Sequence, residues 1–576
     1  MAKGASISFL RDNLGHILAL TVVGVILYLP NLRNTLFWDD ADWILNNPAV
    51  RALTWSNVKF LFTHDALAGI GLVSNYYRPI LFLTFLGNYL VSGSSPTSYH
   101  LVSDLIHLAN GLLIFYLASR WLKSSRAAFL AALIFLVHPL QTEAVTYISG
   151  RGDPLSVFLM LFGIVAYLKY QKSKNSLLLA SSFLLQVLAI LSRETAVLFP
   201  AYLVLALITF EYQGTLWRRI RQAILAVWPY IGISILYGLL RLTVLNFQNT
   251  LNFYNQVNVY SAHLSVRVYT FFHTLLVYFW LIIWPTGLHM DRDVPVHTSF
   301  LDYQVLLGIL VIMIIALIGW RLYKNEVKFQ ILNFKSQTNP KYKNSKNWNL
   351  ELGAWNFRIW LFGFGLFFIA LGPTMGIVPI NARIYEHWLY FSLAGVGLIV
   401  GFYLDKFLTL IKNKKAALLP LAVIVLVGYF GFLGVQTIRQ NILWGDTEAF
   451  YQNILKYEPD DVRVLNNLGN WYSDHGRNKL ARPYYERAIE VDPGQPAPYY
   501  NIGNIIRDSG DLRNAIEWYQ KAISADTRFH YAYENIAAIY LSENKIAEAL
   551  RVLKKLQEAA PSNVNIQRIE GLEKQL

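Results

Sequence analysis

Twelve apolar runs of near-spanning length succeed one another along the first 436 residues of this 576-residue chain, and the last 140 residues contain none. A helix needs about 20 apolar residues to cross a bilayer. The runs lie near 16–30, 98–121, 126–142, 154–168, 176–191, 195–210, 222–244, 264–285, 303–322, 355–372, 387–404 and 416–436. The stretch 77–91 is apolar but short and follows Arg78-Pro79, so it reads as a helix lying in the interface. A hydrophobic content of 55% fits the same division. The expected fold is all-α: a polytopic membrane helix bundle over 1–436 with about 11–13 spans and a first outer loop at about 31–97, then one soluble unit over 437–576.

The formal charge of +14 does not make a nucleic-acid surface. Its positive residues gather in short loops between apolar runs: Lys123 and Arg126; Lys169, Lys172 and Lys174; Arg218, Arg219 and Arg221; Lys324 through Lys346; and Lys412, Lys414 and Lys415. That is the mark of cytoplasmic loops, and membrane orientation accounts for the basicity. With the N-terminus cytoplasmic, Asp39 and Asp40 fall outside. Working back from the C-terminus puts the soluble unit outside as well. The two walks differ by one span between about 195 and 300, where a short or re-entrant segment would reconcile them. There are no cysteines, which excludes disulfides and Cys-ligated zinc and leaves the compartment unread. The lack of an Asn-x-Ser/Thr sequon leans toward a prokaryotic source, hence the cytoplasmic membrane, or the endoplasmic reticulum in a eukaryote. The first run lacks a small-residue cleavage site and reads as an uncleaved anchor.

The soluble unit repeats itself. Gly469, Tyr472, Gly476, Ala481, Tyr485 and Ala488 return 34 residues later as Gly503, Ile506, Gly510, Ala515, Tyr519 and Ala522. A third pass gives Ala537, Tyr540, Asn544, Ala549, Leu553 and Leu556. Period 34 with small residues at helix crossings is the tetratricopeptide pattern. The repeats run over about 463–496, 497–530 and 531–564, preceded by a partial one at 444–462 that carries Tyr451, Ile454 and Pro459. Such an α-solenoid buries its apolar faces by stacking and offers a concave surface to a protein acceptor or partner.

Chemistry-bearing residues cluster where apolar runs meet the outer face. Asp39 and Asp40 stand in Phe37-Trp38-Asp39-Asp40-Ala41-Asp42-Trp43, and ionisable groups at such depth are costly. They form a functional pair or simply end a helix. Asn75-Tyr76-Tyr77-Arg78-Pro79 offers a planar cationic fork suited to phosphate, or an arginine reaching for water. His100, Asp104 and His107, spaced four and three apart, share one helix face. They would bind a metal or pair within the bundle. His138-Pro139-Leu140-Gln141-Thr142-Glu143 and Gly150-Arg151-Gly152-Asp153 return imidazole, acid and base to the same face, unless they are helix punctuation. Arg193 and Glu194 sit between two runs, where Arg193 binds phosphate or neutralises Glu194. Arg383, in Asn381-Ala382-Arg383-Ile384-Tyr385-Glu386-His387, is a further phosphate candidate. Motifs for nucleotide hydrolysis, zinc proteolysis and serine hydrolysis are missing.

Taken in order, the acidic pair, Tyr77-Arg78-Pro79, Tyr99-His100 with His107, His138-Pro139 through Thr142-Glu143, Gly150-Arg151 with Asp153, and the repeats resemble the transmembrane and tetratricopeptide-repeat O-mannosyltransferases and their prokaryotic relatives, of the GT-C superfamily of polytopic glycosyltransferases. The resemblance is tight over about 36–155 and the repeats and loose over 200–350. It implies a GT-C-type bundle, a sugar donor on a polyprenyl phosphate, a hydroxyl acceptor such as protein Ser or Thr, and transfer at the extracytoplasmic face, where the repeats also lie. It makes Asp39 or Asp40 the general base and Arg78, Arg193 and Arg383 the donor-phosphate ligands. Tyr77, His100, Asp104, His107, His138, Glu143, Arg151, Asp153 and Glu194 are further site candidates. A divalent cation is possible and no other cofactor is implied; membrane lipid, lipid-linked sugar and a protein are the partners, with no nucleic acid. Asp104 departs from the family, which has a neutral amide there. The competing readings are a ligase for preassembled lipid-linked glycan, a non-catalytic repeat scaffold and a transporter, the last disfavoured for want of internal duplication.

Overall fold

The computed structural model describes residues 9–247, 258–338, 348–377, 382–561 and 563–573. The basic residues between 339 and 347, and Asn381, lie outside them. The described residues are helical, with no strand, and divide into two compact units, Met1–Gly445 and Asp446–Leu576.

The first unit is a bundle of membrane-spanning character. Among the described residues, ten helices are long and apolar enough to cross a bilayer: Leu14–Arg33, Pro96–Leu122, Ile148–Ser173, Glu194–Glu211, Leu216–Leu242, Leu264–Ile283, Tyr303–Ile331, Trp355–Thr374, Ser392–Lys414 and Ala416–Leu443. Two runs fold otherwise. The 126–142 run breaks at His138-Pro139 into Ser125–Val137 and Pro139–Thr146, bent by 55°, because proline cannot continue the donor ladder. The 176–191 run makes a helix of only 15 residues, Ser176–Ile190, and the interfacial stretch makes one of 14, Pro79–Ser92. The chain is an integral multi-pass membrane protein.

Ion pairs mark the two ends of this bundle. At one end Arg120 meets Glu211 at 2.7 Å, Arg126 meets Asp405, and buried Glu326 takes both Arg219 (3.0 Å) and Arg358 (3.2 Å). The other end collects the loops that hold Asp40, Arg78, Asp153, Arg193, Arg292 and Glu386. Leu264–Ile283 has crossing length, and its side chains reach Gly376 and Tyr385. Arg267 donates to the Gly376 carbonyl, the Tyr278 hydroxyl to the Tyr385 carbonyl at 2.9 Å, and Arg292, beyond the helix, meets Glu386 at 3.4 Å.

The second unit stacks helix pairs: Val462–Asp474 with Asn478–Val491, Pro496–Asp508 with Leu512–Ala525, and His530–Ser542 with Ile546–Ala559. Gly469 and Gly503 make the crossings possible. A Cβ on either would lie 2.5 or 2.6 Å from the ring of Tyr485 or Tyr519.

Candidate active site

The acidic pair is split by the backbone. Trp38 adopts a left-handed φ of 59°, sparsely populated by bulky residues, and the chain then turns into the short helix Ala41–Leu45. Asp39 is exposed, whereas Asp40 is 1% exposed. Asp40 Oδ1 accepts from the Ser149 amide at 2.7 Å and the Ser149 hydroxyl at 2.6 Å. Burial pushes the Asp40 carboxyl up to about 7, with the charge of Asp39 adding to the shift and the Ser149 bonds opposing it.

The segment that supplies Ser149 ties this pair to the rest of the site. Two residues on, Arg151 is fully buried in a neutral cage, donating to Ser103 Oγ (3.0 Å), Thr84 Oγ1 (3.0 Å), Asn88 Oδ1 (2.7 Å) and the Tyr99 carbonyl (2.7 Å). Its guanidinium lies 4.9 Å from the centroid of the Phe85 ring. Two residues further, Asp153 meets Arg193 at 3.1 Å. Both glycines of this turn are close approaches: a Cβ on Gly150 would lie 3.0 Å from the Glu143 carbonyl oxygen, and one on Gly152 would lie 3.2 Å from that of Ser192.

Arg193 therefore pairs with Asp153, while Glu194 takes Arg78 at 3.0 Å. The second oxygen of Glu194 accepts from the Tyr77 amide at 3.0 Å, and the Tyr77 hydroxyl donates to the Phe62 carbonyl at 2.9 Å. Arg78 also stacks 4.5 Å from Tyr76. Glu194 holds the buried Arg78 guanidinium above its usual range against the cost of burial. Arg78 and Arg193 feel each other's charge, and Arg241, which donates to the Asn75 carbonyl, joins them beside Tyr237. Guanidiniums and carboxylates thus alternate in one cluster.

A second acidic cluster adjoins. Glu143 accepts from the amides of Glu386 (2.9 Å) and His387 (3.2 Å) and meets His387 Nδ1 at 2.6 Å. Burial pushes the His387 imidazole down to about 3 and the Glu143 carboxyl up to about 7, so the pair shares one short hydrogen bond in a buried site. Burial raises the Glu386 carboxyl, with Arg292 opposing and Glu143 reinforcing. Asp153 Oδ2 and Arg292 Nε are buried without a hydrogen-bond partner among the described residues. Buried polar atoms are rarely left so unless an unseen partner completes them.

The other candidates serve the bundle. Asp104 accepts from Asn31 at 2.9 Å, His107 bonds the Tyr390 hydroxyl at 2.9 Å, and His100 is buried on the preceding turn. The three do not converge, and no group of three or more His, Asp or Glu among the described residues is placed to hold a metal ion. His138 caps its own turn through the Leu140 amide and bonds the Ile282 carbonyl at 2.9 Å. Arg383 pairs with Asp293 at 2.6 Å and donates to the Val294 carbonyl. Sequence reasoning missed Ser149, Arg241 and Arg292 and assigned no role to Glu386 or His387. Arg241 was signalled by a cation in the last turn of an apolar helix; Ser149 carried no signal, since its role depends on a partner 109 residues away.

The tetratricopeptide repeat model matches residues 466–528 and 500–564. The protein O-mannosyl-transferase TMTC3 of Homo sapiens is 25% identical over 496 residues, 80% of this chain and 50% of that one. TMTC1 of Homo sapiens is 25% identical over 502 residues, 79% of this chain and 52% of that one. Among solved structures, the oligosaccharyltransferase of Archaeoglobus fulgidus overlaps 78% of this chain and 56% of its own at 12% identity, with a TM-score of 0.38. The chain is thus similar, over about four fifths of its length, to protein O-mannosyl-transferases, of which it spans about half.

Proposed function

We propose that this chain is a membrane glycosyltransferase that moves a sugar, mannose in the first instance, from a polyprenyl-phosphate donor to a serine or threonine hydroxyl of a polypeptide. The reaction takes place at the extracytoplasmic face, to which the repeats also belong. The observation that carries the reading is the Ser149–Asp153 turn, which joins a carboxylate pair to a guanidinium cluster in one rigid piece. The sequence relatives supply the sugar and the acceptor class.

In this reading Asp39, the exposed member of the pair, is the general base. A base must first reach the proton it takes, and such groups contribute about 10²–10⁴-fold. The acceptor oxygen attacks the anomeric carbon from the face opposite the leaving group. One C–O bond forms as the bond to phosphate oxygen breaks, with inversion, and the hydroxyl proton goes to Asp39. The lipid phosphate leaves with its electron pair, and Arg78, Arg193 and Arg241 stabilise the charge it gains. Fixed donors aimed at developing charge need no reorganisation as it appears. Asp40 positions the base through Ser149.

The test is transfer of labelled mannose from polyprenyl-phosphate mannose to a Ser/Thr peptide by the full chain in proteoliposomes. Asp39→Asn is expected to lose at least 10²-fold in kcat with the donor KM little changed. Unchanged turnover in that variant would remove Asp39 from the chemistry, and a wild-type chain inactive with every polyprenyl-phosphate hexose would overturn the assignment. Because the guanidiniums hold the leaving phosphate, transfer is expected to survive chelation with EDTA. Loss restored by Mg²⁺ or Mn²⁺ would hand part of that role to a cation.

A further inference from the structure

The outer loop that carries the acidic pair also encloses a pocket of about 230 Å³ beside Arg78. Phe60 and Phe82 wall it, and Asn47, Asp65 and His64 bring polar atoms to it. Asn47 Oδ1 accepts from the Ala49 amide at 3.0 Å and so caps the short turn Pro48–Val50. Asp65 Oδ1 takes three bonds at 2.9 Å, from the Leu67 and Ser74 amides and the Ser74 hydroxyl. Gly69 leaves room for this arrangement, since a Cβ there would overlap the Asn47 carboxamide. Phe82 stacks on Trp43 at 5.4 Å, in the helix Ala41–Leu45 that follows Asp39 and Asp40, so the pocket adjoins the acidic pair.

These bonds leave one half of each group unused. Among the described residues Asn47 Nδ2 and Asp65 Oδ2 have no hydrogen-bond partner, although the two residues are only 2% and 9% exposed. Arg78 commits Nε to Glu194, and among the described residues its Nη1 and Nη2 donate to no group. The set is bipolar. A guanidinium and a carboxamide donate, a carboxylate accepts, and two aromatic rings supply apolar walls. A free inorganic anion would meet Asp65 as a like charge, and a lipid tail would leave every polar atom unmet. A glycosyl phosphate matches the set: an anion at one end, hydroxyls that both donate and accept, and a C–H face for the rings. The volume lies below the roughly 300–1,000 Å³ of pockets for drug-sized molecules, as a single small ring requires.

We infer that this pocket holds the hexosyl group of the lipid-linked donor, with Asp65 Oδ2 and Asn47 Nδ2 bonding its hydroxyls, Phe60 and Phe82 flanking its ring and Arg78 at its phosphate. The inference rests on the proposed function for the nature of the donor, and it makes Asn47 and Asp65 the residues that tell one sugar from another. A site built to bond a hydroxyl rejects the analogue lacking it, because its own polar groups are then left unpaired. Both side chains are held in place before the donor arrives, so binding orders little.

The experiment measures binding by the full chain in nanodiscs to polyprenyl-phosphate mannose and to bare polyprenyl phosphate, which carries the lipid and the anion without the ring. Asp65→Asn keeps an oxygen for Leu67 and Ser74 and turns the unused acceptor into a donor. Asn47→Asp keeps the cap and turns the unused donor into an acceptor. Each is expected to lower the preference for the mannosyl lipid over the bare one about tenfold, the worth of roughly one hydrogen bond. The bare lipid reports any loss of fold and any change of charge beside Arg78, which the ratio removes. Mannosyl lipids each lacking one ring hydroxyl test the wild-type chain without any variant, and at least one should bind about tenfold more weakly. Failure to bind the mannosyl lipid, an unchanged preference in both variants, or deoxy lipids that all bind like the parent would overturn the pocket. Mannose transfer to a Ser/Thr peptide, measured beside binding, separates the two claims. If transfer is absent while the preference falls as expected, the transferase reading alone fails; if transfer proceeds while the preference is unchanged, the sugar pocket alone fails.

Discussion

The two units solve the problem of placing polar groups in opposite ways. In the repeats, polar contacts are short-range and recur: Tyr485 reaches Asn470 across 15 residues, and Tyr519 reaches Asn504 across the same interval. In the membrane unit each contact is made once and across long separations: 109 residues from Asp40 to Ser149, 116 from Arg78 to Glu194, 244 from Glu143 to His387. A repeated local rule spreads its energy over many equivalent sites. A single long-range contact concentrates it, because a buried charge with one set of partners has nowhere else to go.

The largest expected effect breaks the concentrated side. Arg151 fills a buried cage with four donated bonds, and Arg151→Ala would leave Asn88 Oδ1 unmet beside a void. A loss on the order of 3–5 kcal/mol is expected, as for other large buried side chains cut back to alanine. The whole membrane unit should fail together, read as a fall in detergent-extracted monomer and in its unfolding temperature. Arg151→Lys should rescue only part of this, since an ammonium lacks the planar fork.

The corresponding blow to the repeats should stay local. Gly503→Val puts a branched side chain where even a Cβ lies 2.6 Å from the Tyr519 ring, and overpacking of this kind costs about 1–3 kcal/mol. Repeat arrays are close to sums of neighbour terms, so hydrogen exchange should rise across Pro496–Asp508 and Leu512–Ala525 and leave the membrane unit's amides protected. Simultaneous melting of both units would erase the contrast drawn above.

That contrast also explains what could be read without coordinates. The solenoid followed from period 34, since the residues that define it are those that touch, Gly469 against Tyr485 above all. The apolar runs located most of the spanning helices, because length and hydropathy are properties of a segment alone. They could not show that Arg267 meets Gly376 or that Tyr278 meets Tyr385, contacts made across about 107 residues. Nor could spacing show which acid each arginine takes. Adjacent Arg193 and Glu194 look like a pair, yet extended backbone at Arg193 sends neighbouring side chains apart, one to Asp153 and the other to Arg78. The His100, Asp104 and His107 stripe shares a helix face as its spacing requires, but Asn31 and Tyr390 claim two of its members.

The pH dependence of the acidic pair, which reaches turnover as only a few-fold change, is its sharpest probe. Burial raises the Asp40 carboxyl from 3.8 to about 7, so the folded chain holds a proton there that the unfolded chain has released. Its contribution to stability is therefore full below the unfolded value and is lost as pH rises through the folded one, over about pH 4 to 7. Asp40→Asn keeps an oxygen for Ser149 and removes the titration, so its unfolding temperature should not fall over that window as the wild type's does. Turnover carries the opposite sign. Once Asp40 ionises near pH 7, a second negative charge stands beside Asp39 and raises its affinity for the acceptor proton. Wild-type kcat should climb a few-fold through about pH 7, and the Asp40→Asn profile should lack that step while keeping most of the activity. A variant as inactive as Asp39→Asn would mean that the buried carboxylate, not the exposed one, takes the proton.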